Sequence, residues 1–280
     1  MKIGVCLIVK DEASYLLEWI AHYRCLGFHD IIVYDNGSAD ETPDFLSKLC
    51  RHGIVEHVPW PDKSMQHRQV SAYSDATKRF GPRLDWLAFF DSDEFLILHQ
   101  NETIADLLSG YEAFGGLAVN WRLFGSSGKQ HREPGLVMER FQLGPPLNDP
   151  GHRCVKVIVR PSLIDRCDVH VAHLTKGHDI VLSDRTPLVE ALDLGYHSHA
   201  RHDAVQLNHY IIKSREEWNI KRRRGRAAVV PEQSDQQWSD TRFSSHDINT
   251  ALDASASRIM PRLQSEVTWL RNLLASVPQV

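Results

Sequence analysis

The chain lacks both of the glycine-rich fingerprints with which many proteins hold nucleotide phosphates. Its 280 residues contain neither Gly-x-Gly-x-x-Gly nor Gly-x-x-x-x-Gly-Lys-Ser/Thr. These motifs supply the phosphate-binding backbone of a dinucleotide fold or a P-loop, so their absence excludes both solutions. Any nucleotide that binds to this chain is therefore held by other groups.

Paired cysteine motifs, long apolar runs and a strong charge of one sign are also missing. The five cysteines form no Cys-x-x-Cys pair, and their odd number predicts a reduced, intracellular protein. No run of 18 apolar residues occurs, and segment 1–10 enters a strand pattern without the apolar core of a signal peptide. We therefore expect a cytoplasmic protein, with peripheral attachment to the inner face of a membrane left open. The net charge of −4 gives no reason to expect nucleic acid as a partner.

What is present is an alternation of apolar runs and amphipathic segments. Ile3–Val9 is continuously apolar, which is typical of a strand covered on both faces. Apolar residues from Tyr15 to Tyr23 recur every three or four positions and predict a helix that closes near Gly27. Further strands are predicted at 30–34, 54–58, 86–90, 116–121 and 155–159, with a helix over 66–80. This order predicts an α/β fold with an open, twisted, mainly parallel sheet flanked by helices.

Carboxylates follow three of these strands. Asp91, Asp93 and Glu94 come directly after the apolar run 86–90, where such charge cannot lie in a core. We therefore place them at the carboxyl end of a central strand, in the crevice where open α/β sheets bind ligands. In an extended stretch Asp91 and Asp93 point to the same side, so they can share one divalent cation. The alternative is a cluster of acids that caps the start of a helix.

The order of these motifs resembles the GT-A glycosyltransferases, and most closely families 2 and 92. The resemblance is carried by Val-Lys-Asp-Glu at 9–12, Asp-Asn-Gly-Ser-Ala-Asp-Glu-Thr at 35–42 and Asp-Ser-Asp-Glu-Phe at 91–95. Segments 121–128, 156–161 and 208–210 are similar to family 92. The resemblance implies a GT-A fold in which Asp91 and Asp93 are the Asp-x-Asp motif. This motif binds the Mn²⁺ or Mg²⁺ that bridges the donor diphosphate, while Asp35 contacts the nucleoside.

The function implied by this resemblance is that of a metal-dependent, inverting glycosyltransferase. Its donor is a nucleotide-sugar, such as a UDP- or GDP-sugar, and its acceptor is a glycan, a polysaccharide or a lipid-linked sugar. We expect a catalytic domain over 1–212, with a nucleotide-sugar part (1–100) and an acceptor part (101–212), followed by a helical extension over 213–280.

Two other classes of protein remain open. One is a nucleotidyltransferase or phosphotransferase with a carboxylate metal site, although segment 9–12 is neither glycine-rich nor basic, as the segment after strand one commonly is in nucleotidyltransferases. The other is a carbohydrate-binding domain without catalysis, which fits less well because Asp35, Asp91 and Asp93 are all in place.

Several further residues are candidates for the site, each with a plainer alternative. Besides Asp91 and Asp35, the candidates for donor or cofactor contact are Asp11, Glu12, Arg68 and Lys156. Arg68 can meet a diphosphate with two hydrogen bonds or lie on a helix surface, and Lys156 can offset phosphate charge or lie in a solvated loop. Asp93, Glu139 and Asp149 are the catalytic candidates. Glu139 or Asp149 can deprotonate the acceptor hydroxyl, or each can be a plain surface acid. Trp121 either stacks on a sugar ring or belongs to the core.

Histidine is abundant, with 16 residues, but none shows the paired short spacing of a zinc module. Two are candidate ligands of the divalent cation beside Asp91 and Asp93. We favour His209, because it lies where a strand or loop passes into a predicted helix, which aims a side chain rigidly. His170 is predicted on an alternating strand over 169–173, where it can be an ordinary half-buried residue.

The C-terminal part is predicted to be helical. Segment 211–226 has a strongly basic end at residues 221–224 and 226. Three interpretations of this basic end remain open: it is exposed to solvent, it contacts the diphosphate, or it is attracted to an anionic membrane. Segment 248–274 predicts a final amphipathic helix.

Overall fold

The computed structural model describes residues 1–61, 67–188, 195–224 and 239–276. The strands in these ranges are β1 (Ile3–Val9), β2 (Asp30–Asp35), β3 (Glu56–Pro59), β4 (Trp86–Phe89), β5 (Glu94–Leu98), β6 (Gly116–Leu123), β7 (Leu143–Gly144), β8 (Val155–Val159), β9 (Ile164–Cys167), β10 (Ala172–Leu174), β11 (Ile180–Val181), β12 (Val205–His209) and β13 (Ala251–Leu252). The helices are α1 (Ala13–Cys25), α2 (Thr42–Arg51), α3 (Arg68–Arg79), α4 (Ile104–Ser109), α5 (Val137–Arg140), α6 (Arg215–Arg224), α7 (Asp240–His246) and α8 (Met260–Ala275).

Nine of these strands form one sheet, in the order β3-β2-β1-β4-β8-β6-β12-β5, with β11 beside β6. The pairings of β1 with β2 and β4, of β2 with β3, and of β6 with β11 and β12 are parallel. The pairings of β8 with β4 and β6 and of β5 with β12 are antiparallel. The predicted α/β fold with a mainly parallel sheet is confirmed.

The register of the first strands brings their carboxyl ends to one edge. Val9 pairs with Asp35 on β2, and Cys6 pairs with Phe89 on β4. Because the three strands are parallel, the acids that follow each of them lie along this common edge.

The core lies on both faces of the sheet. On one face α1 contributes Trp19 and Tyr23, and α8 packs against α1 through Leu263, Val267 and Leu270. Each of these α8 side chains is 2% exposed or less, and burial of such a side chain contributes roughly 1.5–3 kcal/mol. On the other face α3 packs against β1 and β4, with residues Ala72, Tyr73 and Ala76 fully buried.

Three predicted elements differ by several residues from their bounds in the structure. The helix expected over 211–226 begins only at Arg215, because Ile211 and Ile212 are buried against Trp218 and Lys213 has a left-handed φ of 56°. The final helix begins at Met260 rather than 248, with Pro261 in its first turn, where proline is well tolerated. Before it, β13 pairs with β7.

The third difference concerns the strand expected over 169–173. The strand β10 starts only at Ala172, and Val169 and His170 form a bend between β9 and β10. In a bend, the direction of the His170 side chain is not set by the in-and-out alternation of a strand.

The predicted division into domains at 212 and 213 stays a prediction. Within the described residues no helix combines the length and the apolar character that crossing a membrane requires.

Candidate active site

Asp91 is the first acid after β4, and side chains from two elements fix its carboxylate. Oδ2 lies 3.0 Å from the Lys156 ammonium on β8, and Oδ1 accepts a hydrogen bond of 2.7 Å from Nε2 of Gln69 on α3. The Asp91 backbone N–H donates to Oε2 of Glu94 at 2.8 Å, which closes the turn between β4 and β5. The sequence prediction that places Asp91 at the edge of the sheet therefore agrees with its position.

Lys156 is fully buried inside this arrangement. Its Nζ donates to the Val169 carbonyl at 3.0 Å and lies 4.0 Å from Oε2 of Glu94, in addition to its contact with Asp91. Burial lowers the pKa of Lys156, but the Asp91 and Glu94 carboxylates raise it above the usual value. Lys156 is therefore a charged residue of the site, and the alternative of a solvated loop residue is wrong.

Asp93 lies one step further along the same turn and is paired differently. Its Oδ2 accepts a hydrogen bond of 2.6 Å from the Lys221 ammonium on α6, and its Oδ1 lies 3.6 Å from Nε2 of His209 at the end of β12. Burial acts to raise the pKa of Asp93, but the charge of Lys221, followed by the neighbouring His209, holds it well below the usual value. Asp93 is thus ionised although its side chain is only 10% exposed.

Trp121 on β6 joins the carboxylates to the two candidate histidines. Its Nε1–H donates to Oε1 of Glu94 at 2.8 Å, and its ring centroid lies 4.3 Å from that of His209 and 5.4 Å from that of His170. The structure thus brings both histidines to the same aromatic side chain.

Both histidines are electrically suited to be ligands. Burial lowers the pKa of His170 to about 4 and lowers that of His209, although the Asp93 charge acts in the opposite direction on His209. Both rings are therefore neutral at pH 7, as metal binding requires. Nδ1 of each ring is buried and has no hydrogen-bond partner. His209 is the one that faces Asp93.

The acids that follow β1 and β2 each have different hydrogen-bond partners. Oδ1 of Asp11 accepts a 2.6 Å hydrogen bond from the Ala39 N–H, so Asp11 holds the loop after β2. Oε1 of Glu12 accepts a 2.9 Å hydrogen bond from Oγ of Ser92, which links the end of β1 to the Asp91–Asp93 turn. Asp35 is 5% exposed, accepts a hydrogen bond from the Ser38 N–H, and has its Oδ2 3.9 Å from Nε2 of His57.

Two of the predicted catalytic acids have their described contacts elsewhere. Oε2 of Glu139 accepts the Leu136 N–H at 2.8 Å as part of the cap of α5, and Oε1 accepts a hydrogen bond from Gln264 on α8. Oδ1 of Asp149 accepts the Gly151 N–H at 2.8 Å in a short 3₁₀ turn. The structure does not bring these carboxylates into contact with the Asp91–Asp93 turn.

The sequence predicts a site role for Arg68 on α3, whereas its neighbour Gln69 is the residue that reaches Asp91. Gln69 and Tyr73 lie one helical turn apart, their side chains meet at 2.8 Å, and the Tyr73 hydroxyl donates to Asp91 at 3.4 Å. A polar residue four positions before a buried tyrosine on the sheet-facing side of a predicted helix was the available signal. The sequence also does not single out Lys221 as a site residue, because it is one of several basic residues in the run 221–226.

A family comparison decides the affiliation of this site. Residues 2–243 match the sequence model of glycosyltransferase family 92. The chain belongs to glycosyltransferase family 92. The resemblance inferred from the motifs at the strand ends is thereby confirmed.

Relatives of this family 92 chain occur in plants. A glycosyltransferase family 92 protein of Oryza sativa subsp. japonica is 27% identical over 174 residues, which cover 60% of this chain and 28% of the relative. A family 92 protein of Ricinus communis is 25% identical over 194 residues, which cover 66% of this chain and 34% of the relative. The chain therefore spans only about a third of the length of these relatives.

Solved structures resemble the family 92 chain only distantly. TarS of S. aureus has a TM-score of 0.39 and 16% identity, covering 58% of this chain and 29% of that one. Glucosyl-3-phosphoglycerate synthase of Mycobacterium tuberculosis has a TM-score of 0.31 and 19% identity, covering 43% of this chain and 44% of that one. Likeness at this level carries no argument about function.

The donor atoms of the site fit a cation that a substrate helps to hold. Among the residues that the structure describes, no group of three or more acidic, histidine or cysteine side chains is arranged as a closed metal cage. Mg²⁺ is usually held by one or two carboxylates together with substrate phosphates, and not by a cage made only of protein. Asp93 supplies one such carboxylate, and Nε2 of His209 lies 3.6 Å from its Oδ1 as a nitrogen donor beside it.

Proposed function

We propose that this chain is a metal-dependent, inverting glycosyltransferase that moves a sugar from a nucleotide-sugar to a glycan, a polysaccharide or a lipid-linked acceptor. One observation carries the proposal. In a member of family 92, the ion-paired carboxylates Asp91 and Asp93 converge with Lys156, Lys221 and His209 at the carboxyl edge of the sheet. Positive groups in fixed positions are what a departing diphosphate requires.

Asp93 and His209 are the residues that we propose as ligands of Mn²⁺ or Mg²⁺, with Asp91 as the second carboxylate of the motif. A nitrogen ligand favours Mn²⁺ over Mg²⁺. When bound, such a cation supplies positive charge that stabilises the leaving diphosphate. Lys156 holds Asp91 in place and remains charged, and Lys221 lies close enough to the motif to donate to a phosphate oxygen.

Asp35 is our candidate for contact with the nucleoside of a UDP- or GDP-sugar. Its carboxylate is buried at the end of β2, and Oδ2, which lies 3.9 Å from Nε2 of His57, can accept a hydrogen bond from a ribose hydroxyl or a base N–H. Glu12 and Asp11 support this end of the site through Ser92 and the loop after β2. Arg68 stays a candidate for the diphosphate, since it opens α3 directly before Gln69.

The acceptor side is proposed around Trp121, whose half-buried ring forms a wall between Glu94 and His209. The identity of the base that deprotonates the acceptor stays a prediction. The carboxylates of the two candidates, Glu139 and Asp149, accept the backbone N–H groups of Leu136 and Gly151.

We also propose that the protein acts in the cytoplasm and contacts the inner face of a membrane peripherally. The support is the basic end of α6, where Arg222 and Arg223 are exposed. Arginines near an anionic surface contribute roughly 1 kcal/mol each. Co-sedimentation with phosphatidylserine vesicles that weakens with added salt is the expected result, and equal binding to neutral vesicles would contradict it.

The central experiment is a calorimetric titration of a panel of nucleotide-sugars with and without Mn²⁺. We expect one UDP- or GDP-sugar to bind only when Mn²⁺ is present, and the Asp93→Asn variant to lose that binding and sugar transfer while remaining folded. The matched control is Asp44→Asn, which removes a carboxylate whose side chain is 67% exposed and pairs with Lys48 on the surface of α2. This control should bind the donor as the parent does.

Other outcomes would favour the other classes of protein. Release of pyrophosphate from a nucleoside triphosphate would indicate a nucleotidyltransferase. Binding of oligosaccharides without any binding of nucleotide-sugars would indicate a carbohydrate-binding domain. Unchanged Mn²⁺-dependent transfer by Asp93→Asn would remove the central claim.

A further inference from the structure

Lys221 reaches Asp93 from a helix that belongs to another part of the chain. Lys221 lies on α6, 128 positions after Asp93, and its ammonium also donates to the Ile211 carbonyl at 2.8 Å. Its side chain is 13% exposed. The place of the ammonium group therefore depends on how the start of α6 is fixed.

The start of α6 is fixed by Glu217, which lies one turn before Lys221 on the same helix. Ser214 and Glu217 form a reciprocal cap: the Ser214 N–H donates to the Glu217 carboxylate at 3.2 Å, and the Glu217 N–H donates to Oγ of Ser214 at 3.3 Å. Such a capping box sets the first residue of a helix and so the register of all that follow. A shift of one residue would turn Lys221 by about 100° around the helix axis.

A buried arginine also binds the Glu217 carboxylate. Nη1 and Nη2 of Arg140 donate to the two Glu217 oxygens at 2.9 and 2.8 Å, and the side chains of the pair are 5% and 1% exposed. The Tyr15 hydroxyl on α1 donates to Glu217 at 3.0 Å. A two-pronged contact of this kind fixes direction as well as distance.

Arg140 is itself held by α1. It ends the short helix α5, whose first N–H groups, those of Val137 and Met138, donate to the Glu18 carboxylate at 2.6 and 3.2 Å. Glu18 belongs to α1, the helix that follows β1. A continuous set of buried polar contacts thus runs from α1 to the helix that carries Lys221.

We propose that Arg140 and Glu217 are positioning residues that place the Lys221 ammonium at Asp93. They fix the start of α6 through the capping box and the two-pronged ion pair, and Lys221 follows one turn later on the same side of the helix. That this placement of Lys221 aids binding of the donor diphosphate rests on the proposed function. The placement of Lys221 itself does not.

The test measures how fast an amine-reactive reagent labels Lys221 in the full chain, with quantification by peptide mass spectrometry. In the parent protein labelling should be slow, because the ammonium is ion-paired and mostly buried. In Arg140→Gln and in Glu217→Gln we expect labelling to rise about tenfold, the order of effect that loss of a charge-assisted hydrogen bond brings. Arg140→Lys, which keeps the charge, should fall between the parent and Arg140→Gln.

The matched control is Arg122→Gln. Arg122 forms another buried ion pair, at 2.7 Å with Asp253, that makes no described contact with α6. It should lose comparable stability in urea denaturation while the labelling of Lys221 stays at the parent value. Lys48 on the surface of α2 serves as the internal reference for labelling within each sample.

The outcomes separate this proposal from the proposed function. If Glu217→Gln and Arg140→Lys are less stable but label Lys221 at the parent rate, the pair is merely structural and the proposal is wrong. An equal rise in Arg122→Gln would also overturn it. If labelling responds as expected but the parent binds no nucleotide-sugar with Mn²⁺, the positioning role stands and the proposed function fails.

Discussion

The ion pair between Asp93 and Lys221 offers a direct test of the site in solution. We would replace Asp93 by Asn, Lys221 by Met, and both together, and measure the free energy of unfolding of the four proteins in urea. Two variants and their combination form a double-mutant cycle, which isolates the interaction between the two side chains. The same cycle on Asp44 and Lys48 provides the reference.

The expected magnitude follows from the burial of each pair. Removal of one partner from a buried ion pair costs about 3–5 kcal/mol, because the other charge is left without compensation. The side chains of Asp93 and Lys221 are 10% and 13% exposed, and the Lys221 ammonium keeps the Ile211 carbonyl. We therefore expect the lower end of that range for each single variant, and a coupling of roughly 2 kcal/mol.

The reference pair has nearly the same geometry but a different environment. Asp44 and Lys48 approach to 2.7 Å, yet the Asp44 side chain is 67% exposed. Exposed pairs four residues apart on a helix contribute about 0.3–0.5 kcal/mol. A coupling for Asp93 and Lys221 no larger than this reference would refute the contact, and with it the place of Lys221 in the site.

Three further predictions follow from the proposed chemistry and the buried residues. A single displacement inverts the anomeric carbon, so NMR of the fresh product should show the anomer opposite to that of the donor, and net retention would overturn the assignment. His209→Ala should bind Mn²⁺ at least about tenfold more weakly than the parent when a nucleoside diphosphate is present. If His170→Ala shows this loss and His209→Ala does not, His170 is the ligand. Burial lowers the pKa of His22 to about 4 despite its hydrogen bond to the Leu96 carbonyl. Its contribution to stability is therefore full above pH 6.5 and falls towards pH 4, so the advantage of the parent over His22→Met should shrink by about 1 kcal/mol per pH unit in that range, and a constant difference would contradict this.

The elements that the sequence predicts well are those with strong local patterns. Val155–Val159 has the expected bounds, and β1 is confirmed as a strand buried on both faces. The acids at the strand ends were found for the same reason, since an apolar run that stops at a charge marks the edge of a sheet. Neither inference needs knowledge of distant contacts.

The missing parts of the prediction depend on contacts between distant segments. Glu94–Leu98 was not predicted as a strand, because its role follows from antiparallel pairing with β12, more than a hundred residues later. Lys221 could not be singled out from its basic neighbours, since only the start of α6 decides which of them turns towards Asp93. His170 was assigned to a strand by its alternating neighbours, whereas the bend before β10 turns it towards Trp121.

The charges of the site support the proposal that a cation and a diphosphate bind together. The two lysines, Lys156 and Lys221, are paired with Asp91 and Asp93, and burial raises the pKa of Glu94 to about 8 although Lys156 opposes this. At pH 7 the histidines are neutral, and the two ammonium groups balance the carboxylates of Asp91 and Asp93. A diphosphate that entered this balanced site alone would bring several negative charges without compensation in a largely buried place. Under the proposed function, Mn²⁺ or Mg²⁺ would offset this charge, and the ammonium of Lys221, the more exposed of the two lysines, would exchange its contact with Asp93 for one with a phosphate oxygen.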